Sequence, residues 1–157
     1  METKELKRHK FYLKTADELG KLFSTCVNLS VGTILVKDNR IISTGYNGVP
    51  SGMPHCIQSI DEYANNFSVE HHIFSEAYEI HAEMNSIIYA AKTNVVIDDS
   101  VILYSSIQPC NNCLKHIIAT GIKKVYYIEL YNQYDTEYNI VRRKLAKYLD
   151  IFKQIEL

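Results

Sequence analysis

The chain has 157 residues, of which 46% are hydrophobic and 22% charged, and its formal net charge of −1 is typical of one ordinary globular domain. It contains no apolar run long enough to span a membrane, and its charged N-terminal stretch is not typical of a signal peptide. We therefore expect a single cytoplasmic domain over residues 1–157.

Positive charge is missing from the middle of the sequence. No Lys or Arg lies between Arg40 and Lys92, whereas several acidic residues do. Polynucleotide binding needs several cations to neutralise phosphates, so this distribution argues against a long nucleic-acid groove and favours a small substrate. The basic residues between Lys4 and Lys14 are interpreted as the solvated face of a helix.

The first half of the chain predicts a helix, a hairpin and a long irregular interval. The helix covers about residues 3–25, and two β-rich runs, 31–36 and 40–46, follow it with a short turn at residues 37–39. Residues 48–78 show no strong period. So long an interval inside a compact domain indicates a functional or internally stapled segment.

Helices and strands alternate in the second half. A hairpin followed by such alternation implies a mixed sheet of about five strands with helices on both faces, that is, a three-layer α/β/α fold. Ligand sites in open α/β folds form beside the strand ends, where helices begin. The predicted elements are a helix from about residue 81, a strand over 100–105, a helix from about 110 to 120, a strand over 124–130, a helix over 136–149 and a short strand over 151–155.

Two motifs combine metal ligands with a spare carboxylate. His81 is followed by Glu83, and Pro109 precedes Cys110 and Cys113. One imidazole and two thiolates fill three corners of a zinc tetrahedron, and a site with three protein ligands keeps its fourth position for water. A structural zinc would take a fourth protein ligand and leave Glu83 without a task. We interpret His81, Cys110 and Cys113 as a catalytic zinc site.

The spacing of these residues places them at helix starts. Cys-x-x-Cys puts two sulfurs about one turn apart, and the open N–H groups and dipole of a helix N-terminus favour thiolates. Gly121 supplies the expected end of that helix, and His81 opens a second one. Taken alone, Cys-x-x-Cys could also be a redox pair or part of a structural zinc site.

Together, the two motifs match the signature of zinc nucleobase deaminases. The chain resembles the deoxycytidylate (dCMP) deaminase family of the cytidine deaminase-like superfamily over about residues 10–135. Polynucleotide adenosine deaminases share the zinc motifs but not, as a rule, residues 45–48. Besides the zinc ligands, the resemblance is carried by Gly45-Tyr46-Asn47-Gly48, His81-Ala82-Glu83-Met84-Asn85, Ser24-Thr25-Cys26, Val31-Gly32 and Gly121-Ile122-Lys123-Lys124-Val125.

The resemblance implies hydrolysis of dCMP to dUMP, which feeds thymidylate synthesis, by a homo-oligomer, expected to be a hexamer, that responds to dCTP and dTTP. In this reaction zinc lowers the pKa of a bound water, the hydroxide attacks C4 of the pyrimidine, and Glu83 passes the proton to N3 and then to the leaving amine. Deamination of dCTP or another cytosine nucleoside or nucleotide remains an alternative. A zinc module that binds nucleotides without turnover is a further alternative, but such a module has no need of Glu83.

The resemblance also implies roles for residues around the zinc. Asn47 would hydrogen-bond the sugar 3′-hydroxyl, although Asn-Gly is also a common turn pair. Ala82, Ser106 and Tyr131 would contact the substrate. The segment Gly45-Tyr46-Asn47-Gly48 would belong to an effector site, where Mg²⁺ could accompany a bound nucleotide.

The phosphate ligand is left open by the sequence. Many relatives carry an Arg near the end of the first helix or just before the Val-Gly pair, where this chain has Phe23 and Asn28. A phosphate still needs hydrogen-bond donors or a cation. Lys21, Lys115 and a basic residue of a neighbouring subunit are the candidates.

A second, structural zinc is predicted in the irregular interval. Cys26, Cys56 and His71 remain after the catalytic ligands are assigned, and some phage-type dCMP deaminases resemble this chain in carrying zinc ligands at these positions. A metal would staple the interval to the first helix. The fourth ligand is left open between His55 and His72. The alternative without a metal is that Cys26 is an ordinary buried residue at the end of the helix and that His71 and His72 are a solvated pair.

Overall fold

The computed structural model describes residues 2–61, 66–132 and 134–157. Within these residues six helices and five strands alternate much as the patterns predict. In chain order they are α1 (Lys4–Phe23), β1 (Gly32–Lys37), β2 (Arg40–Tyr46), α2 (Cys56–Ser59), α3 (Phe67–Tyr78), α4 (Ala82–Lys92), β3 (Ile102–Ile107), α5 (Asn111–Ala119), β4 (Lys124–Glu129), α6 (Thr136–Ala146) and β5 (Ile151–Gln154).

The strands form one mixed sheet in the order β2-β1-β3-β4-β5. β1 is antiparallel to both of its neighbours, and β4 is parallel to both of its own. Asp38 and Asn39 turn the β1–β2 hairpin with φ angles of 51° and 60°, a left-handed conformation that Asn and Asp tolerate and that matches the strand twist. The predicted mixed sheet of about five strands is confirmed.

Alternating side chains build one core on each face of the sheet, because successive residues of a strand point to opposite sides. Ile34 of β1 faces α1, while its neighbour Leu35 faces α4, α5 and α6. The predicted three-layer arrangement is therefore confirmed. The core against α1 contains Tyr12, Leu13, Ala16, Ile34, Val36, Tyr104, Tyr126 and Ile155, and the opposite core contains Leu35, Ala90, Val101, Leu103, Cys110, Cys113, Leu114, Ile117, Ile122, Val125 and Leu149.

α4 lies unusually close to β2. A Cβ at Gly45 would collide with the backbone of Ala82 and Ser86. The helix accordingly turns the small Ser86 and Ala90 inward, both fully buried, while Ser43 of β2 donates a 2.6 Å hydrogen bond to the Ser86 carbonyl. This close contact sets the position of the first turn of α4, which carries the His81 motif.

The interval over residues 48–78 is more ordered than its composition predicts, since it contains α2 and α3. α3 buries only His71 and Phe74, which explains why no apolar period marks it. A small third core joins Phe74 to Cys56 and Ile60. Residues 62–65 of the predicted irregular interval lie outside the described residues. Across the described part of the chain, no helix has both the length and the apolar composition needed to cross a membrane.

Candidate active site

A cavity of about 420 Å³ lies where the ends of β2 and β3 meet the start of α4. One wall comes from the loop before β1 and from α3, and the other comes from the residues that follow β3 and β4. The lining residues that carry metal-binding or acid–base chemistry are Cys26, His71, His72, Glu76, Glu79, His81, Glu83 and Cys110.

Two helix starts bring the predicted catalytic ligands together. His81 is the N-cap of α4 and Cys110 is the N-cap of α5, while Cys113 lies in the first turn of α5. The Nδ1 atom of His81 is 3.5 Å from Cys110 Sγ and 3.3 Å from Cys113 Sγ. Ligands of a tetrahedral zinc with ordinary Zn–N and Zn–S bonds lie about 3.5 Å apart, so this donor set fits the ion without rearrangement.

The two cysteine sulfurs are too close for both to be ionised without a cation between them. A hydrogen bond between the two sulfur groups, together with His81, lowers the pKa of Cys110, and the same hydrogen bond, with burial, raises the pKa of Cys113. Without a metal ion the pair therefore favours a single negative charge. Ionising both at this spacing requires a metal ion, which acts as the counter-charge.

Glu83 is a buried carboxyl group beside this cluster. Its side chain is 4% exposed and lines the cavity, and burial raises its pKa to about 7. A group with a pKa near neutrality is suited to take up and release a proton at physiological pH. The structure therefore places a carboxyl group of near-neutral pKa beside the three candidate ligands.

Three of the four predicted substrate contacts line the cavity, namely Asn47, Ala82 and Tyr131. Ser106 is not among the lining residues. Its side chain is buried beneath the neighbouring strand and accepts a 3.0 Å hydrogen bond from the Gly32 N–H. In this structure the Ser106 hydroxyl fastens the start of β1 to β3.

Asn47 has a structural task that the sequence does not reveal. Its Oδ1 atom accepts hydrogen bonds from Val31 N (2.8 Å) and Ser24 Oγ (2.6 Å), and its Nδ2 atom donates to Leu29 O (2.7 Å). The amide thus closes the loop between α1 and β1 into one wall of the cavity. One amide hydrogen remains for a ligand, because an Asn side chain has two donors.

The segment from Gly45 to Gly48 is tied to the same site. Gly48 and Ile80 exchange two backbone hydrogen bonds, of 3.1 and 2.8 Å, directly before His81. Asn85 of α4 donates a 2.7 Å hydrogen bond to the Tyr46 carbonyl, and the Tyr46 ring stacks on Phe23 with a centroid separation of 5.7 Å. A ligand bound to this segment would therefore contact residues that are hydrogen-bonded to the start of α4.

A second ligand cluster lies along the same cavity. Cys26, Cys56 and His71 come together with Glu79, and their donor atoms all lie within 4.8 Å of one another. Cys26 Sγ is 3.3 Å from His71 Nε2. The Oε1 atom of Glu79 is buried without a hydrogen-bond partner among the described residues, while Oε2 accepts a hydrogen bond from Ser75. Buried polar atoms normally have partners, so a carboxylate oxygen that faces two thiols and an imidazole in this state fits a metal ligand.

The structure leaves both histidines that the sequence offers as the fourth ligand outside this cluster. His55 is exposed and caps α2 with the side chain of Gln58, and His72 is exposed beside Glu76 at 3.6 Å. Sequence reasoning misses Glu79 because Cys and His are the more usual ligands of a structural zinc. The position of Glu79 two residues before His81 is the available signal.

None of the described residues lining the cavity is Lys or Arg. Lys21 is exposed on α1, where it pairs with Asp17 at 2.5 Å, and Lys115 is exposed on α5. Neither lines the cavity, whereas Asn28 does. A phosphate in this cavity would meet histidines, amides and hydroxyls of this chain.

The mixed sheet, the three converging ligands and the buried Glu83 define the class of zinc-dependent hydrolytic deaminases. The family model of the cytidine and deoxycytidylate deaminase zinc-binding region matches residues 6–129, and the chain belongs to this family. The chain is 42% identical over 124 residues to ComE operon protein 2 of Bacillus subtilis, a match that covers 76% of this chain and 59% of that protein.

Two phage proteins are similar over most of their length. The deoxycytidylate deaminase of Enterobacteria phage T4 is 33% identical over 140 residues, which cover 70% of this chain and 72% of that enzyme. The crystal structure of dCMP deaminase from the cyanophage S-TIM5 in complex with dCMP and dUMP superposes with a TM-score of 0.71 at 29% identity, covering 99% of this chain and 100% of that one. The fold is therefore that of a dCMP deaminase.

Proposed function

We propose that this chain is a zinc-dependent deoxycytidylate deaminase that hydrolyses dCMP to dUMP and ammonia. The observation that carries the proposal is the buried Glu83 beside His81, Cys110 and Cys113 in one cavity. The phage T4 and cyanophage relatives, which bear the same activity in their names, support the substrate.

The residues around the cavity divide the reaction between them. His81, Cys110 and Cys113 would hold zinc, which supplies the Lewis acid that activates a water molecule near pH 7. Glu83 would accept one proton of the attacking water and deliver it to N3 of the pyrimidine, and would then carry the proton of the new C4 hydroxyl to the amine that leaves C4 as ammonia. Ala82 and Tyr131 line the space for the nucleotide, and Asn47 offers its remaining N–H to the sugar 3′-hydroxyl.

The test is a comparison of substrates. Deamination of dCMP, dCTP, CMP and cytidine is followed by ultraviolet absorbance with the zinc-loaded protein. We expect the highest kcat/KM with dCMP. A preference for dCTP or for the nucleoside would replace the substrate and keep the chemistry, whereas binding of nucleotides without any turnover would favour a non-catalytic module.

The second cluster is proposed to hold a structural zinc through Cys26, Cys56, His71 and Glu79. Four ligands close a tetrahedral site and leave no position for water, which suits a structural ion. The support is the convergence of four donors and the unpartnered Oε1 of Glu79. Elemental analysis is expected to find two zinc ions per chain, and one ion that persists in a Cys26→Ser variant of unchanged stability would refute the site.

Self-association and control by nucleotides are also proposed. Large apolar side chains are exposed near the end of α1 and on the outer face of α4, including Leu22, Phe23, Ile88 and Tyr89, and burying them in a homo-oligomer would remove apolar surface from water. The segment from Gly45 to Gly48 is the proposed effector contact, with Mg²⁺ beside a bound dCTP or dTTP. Sedimentation with and without these nucleotides tests both parts, and a monomer with hyperbolic kinetics insensitive to them would refute both.

A further inference from the structure

A buried arginine stands behind the wall of the catalytic cavity. Arg142 of α6 is 4% exposed, and no carboxylate among the described residues pairs with it. Its Nε and Nη2 atoms are buried without hydrogen-bond partners in the described part of the chain. Its guanidinium lies over the rings of Tyr138, at 4.8 Å from the centroid, and Tyr131, at 5.8 Å.

Burying a charged guanidinium between a helix and a sheet is energetically unfavourable. A buried charge loses its hydration, and apolar residues of similar volume often stabilise the same place equally well or better. The two ring faces compensate part of this cost. Packing alone therefore does not account for Arg142, and its role depends on the groups to which it donates hydrogen bonds.

The hydrogen bonds that Arg142 makes within the described residues come from one end of the guanidinium. Nη1 donates to Gln108 Oε1 at 2.6 Å, to the Tyr131 carbonyl at 2.7 Å and to Asn139 Oδ1 at 2.9 Å. Gln108 and Tyr131 line the catalytic cavity, and Gln108 directly precedes the Pro109-Cys110 motif. One side chain thus joins α6 to the residues that follow β3 and β4.

These contacts define the orientation of the wall. Because Nη1 is a pure donor, the acceptor end of the Gln108 amide must face Arg142, and the Gln108 Nε2 atom then donates to the Tyr127 hydroxyl at 2.9 Å. The Tyr131 carbonyl is held by the same nitrogen, and the Tyr131 ring packs edge-on against Tyr138 with centroids 6.0 Å apart. Neither cavity residue can rotate without breaking a hydrogen bond or a ring contact.

We propose that Arg142 is a positioning residue for substrate binding, which holds Gln108 and Tyr131 in the orientation that receives the nucleotide. It touches neither the substrate nor the candidate zinc ligands, and it acts through the wall. This inference rests on the proposed function for its kinetic readout, but the position of the Tyr131 ring can be measured without any turnover.

The experiment compares Arg142→Met with Arg143→Met in the zinc-loaded protein. Methionine keeps the length of the side chain and removes all of its N–H donors, while Arg143 is the exposed neighbour on the same helix and makes no hydrogen bond to Gln108 or Tyr131 among those described. We expect Arg142→Met to raise KM for dCMP by about tenfold or more with a much smaller change in kcat, because a misplaced wall weakens binding and orientation. Arg143→Met is expected to match wild type.

A second pair of variants separates positioning from general stability. Gln108→Met removes the acceptor and leaves Arg142 intact, so it should raise KM in the same way, and the double variant Gln108→Met/Arg142→Met should be no worse than the poorer single variant. If Arg142→Met does not fold, Arg142→Lys carries the test, because lysine keeps the positive charge but loses the planar fork of donors, and it should raise KM in the same direction. Additive effects, or an Arg142→Met protein that folds and keeps the wild-type KM, would overturn the inference.

The Tyr131 ring gives a readout independent of activity. In protein labelled with 3-fluorotyrosine, the ¹⁹F resonance of Tyr131 is assigned by its loss in Tyr131→Phe. We expect this resonance to shift in Arg142→Met and Gln108→Met and to stay in place in Arg143→Met. If the variants shift this resonance but the wild-type protein deaminates no cytosine nucleotide, the positioning role stands and the proposed function is rejected. If the resonance does not move in the variants, the positioning role is rejected.

Discussion

The two ligand clusters share one cavity but are built in different ways. His81, Cys110 and Cys113 lie at the starts of two helices that pack on the central sheet, and three donors leave one tetrahedral position open beside Glu83. The second cluster takes its donors from the loop after α1, the short helix α2, the helix α3 and the residue that ends α3, and its four donors close the site.

This difference suggests a catalytic role for the first cluster and a structural role for the second. An open position next to a carboxyl group of raised pKa suits chemistry, while a closed set of four donors suits the stapling of segments that have little core of their own. The small core around Cys56, Ile60 and Phe74 is the only apolar cluster described for residues 48–78. We therefore expect changes in the first cluster to abolish activity and changes in the second to reduce stability.

The largest effect is expected from Cys113→Ala. Loss of one of three ligands in the open cluster should remove its zinc and all measurable deamination, because no fourth protein ligand compensates. The fold should survive, since the donors of the proposed second zinc site are untouched. Metal content and dCMP turnover are measured together, and a fully active variant with only one zinc per chain would reverse the assignment of the two clusters.

Glu83→Gln should separate chemistry from metal binding. We expect zinc content and dCMP binding to persist while kcat falls by several orders of magnitude, because both proton transfers depend on the carboxyl group. Glu70→Gln, which changes an exposed carboxylate of α3 that does not line the cavity, is the matched control and should keep wild-type turnover. A Glu83→Gln protein with a tenth of wild-type kcat would remove Glu83 from the mechanism, since that loss is only about 1.4 kcal/mol.

Cys56→Ala should act on stability more than on chemistry. Removing a ligand of the closed cluster is expected to lower the zinc content by one ion and the Tm by about 10 °C, because a metal that binds only the folded state stabilises it. At 25 °C the variant should retain most of its kcat. Differential scanning calorimetry with and without a chelator measures the contribution, and a chelator-independent Tm in wild type would argue against a structural metal.

The smallest of these effects is expected from Glu79→Gln. An amide oxygen is a weaker zinc ligand than a carboxylate, so the affinity of the second cluster for zinc should fall by about tenfold or more while the ion still binds at high concentration. His55→Gln and His72→Gln are the controls, because both side chains lie outside the cluster. Competition with a chromophoric chelator measures the affinity. Weakening by His55→Gln or His72→Gln instead of Glu79→Gln would restore one of the two histidines that the sequence offers as the fourth ligand.

Local patterns are sufficient for the fold class and for the convergence of the first cluster. Short β-rich runs bounded by turn residues predict the strands, and the spacing of Cys110 and Cys113 before an apolar helical run predicts a helix start. α3 escapes prediction because it buries only two residues, one of them a histidine. The family resemblance places Ser106 at the substrate, which stays a prediction. The structure adds a hydrogen bond from Gly32 to its hydroxyl across the sheet, a contact between residues 74 positions apart that no local pattern reveals.

The sequence by itself determined the family and the mixed sheet and predicted the three candidate ligands beside Glu83, because local patterns and motifs with a fixed chemistry are enough for each. Tertiary structure decided which residues complete the second cluster, how Asn47 closes the loop between α1 and β1, and that Arg142 stands behind the cavity wall. These arrangements join segments far apart in the chain. Their energies come from burial and hydrogen bonding that exist only after the sheet and its helices have packed.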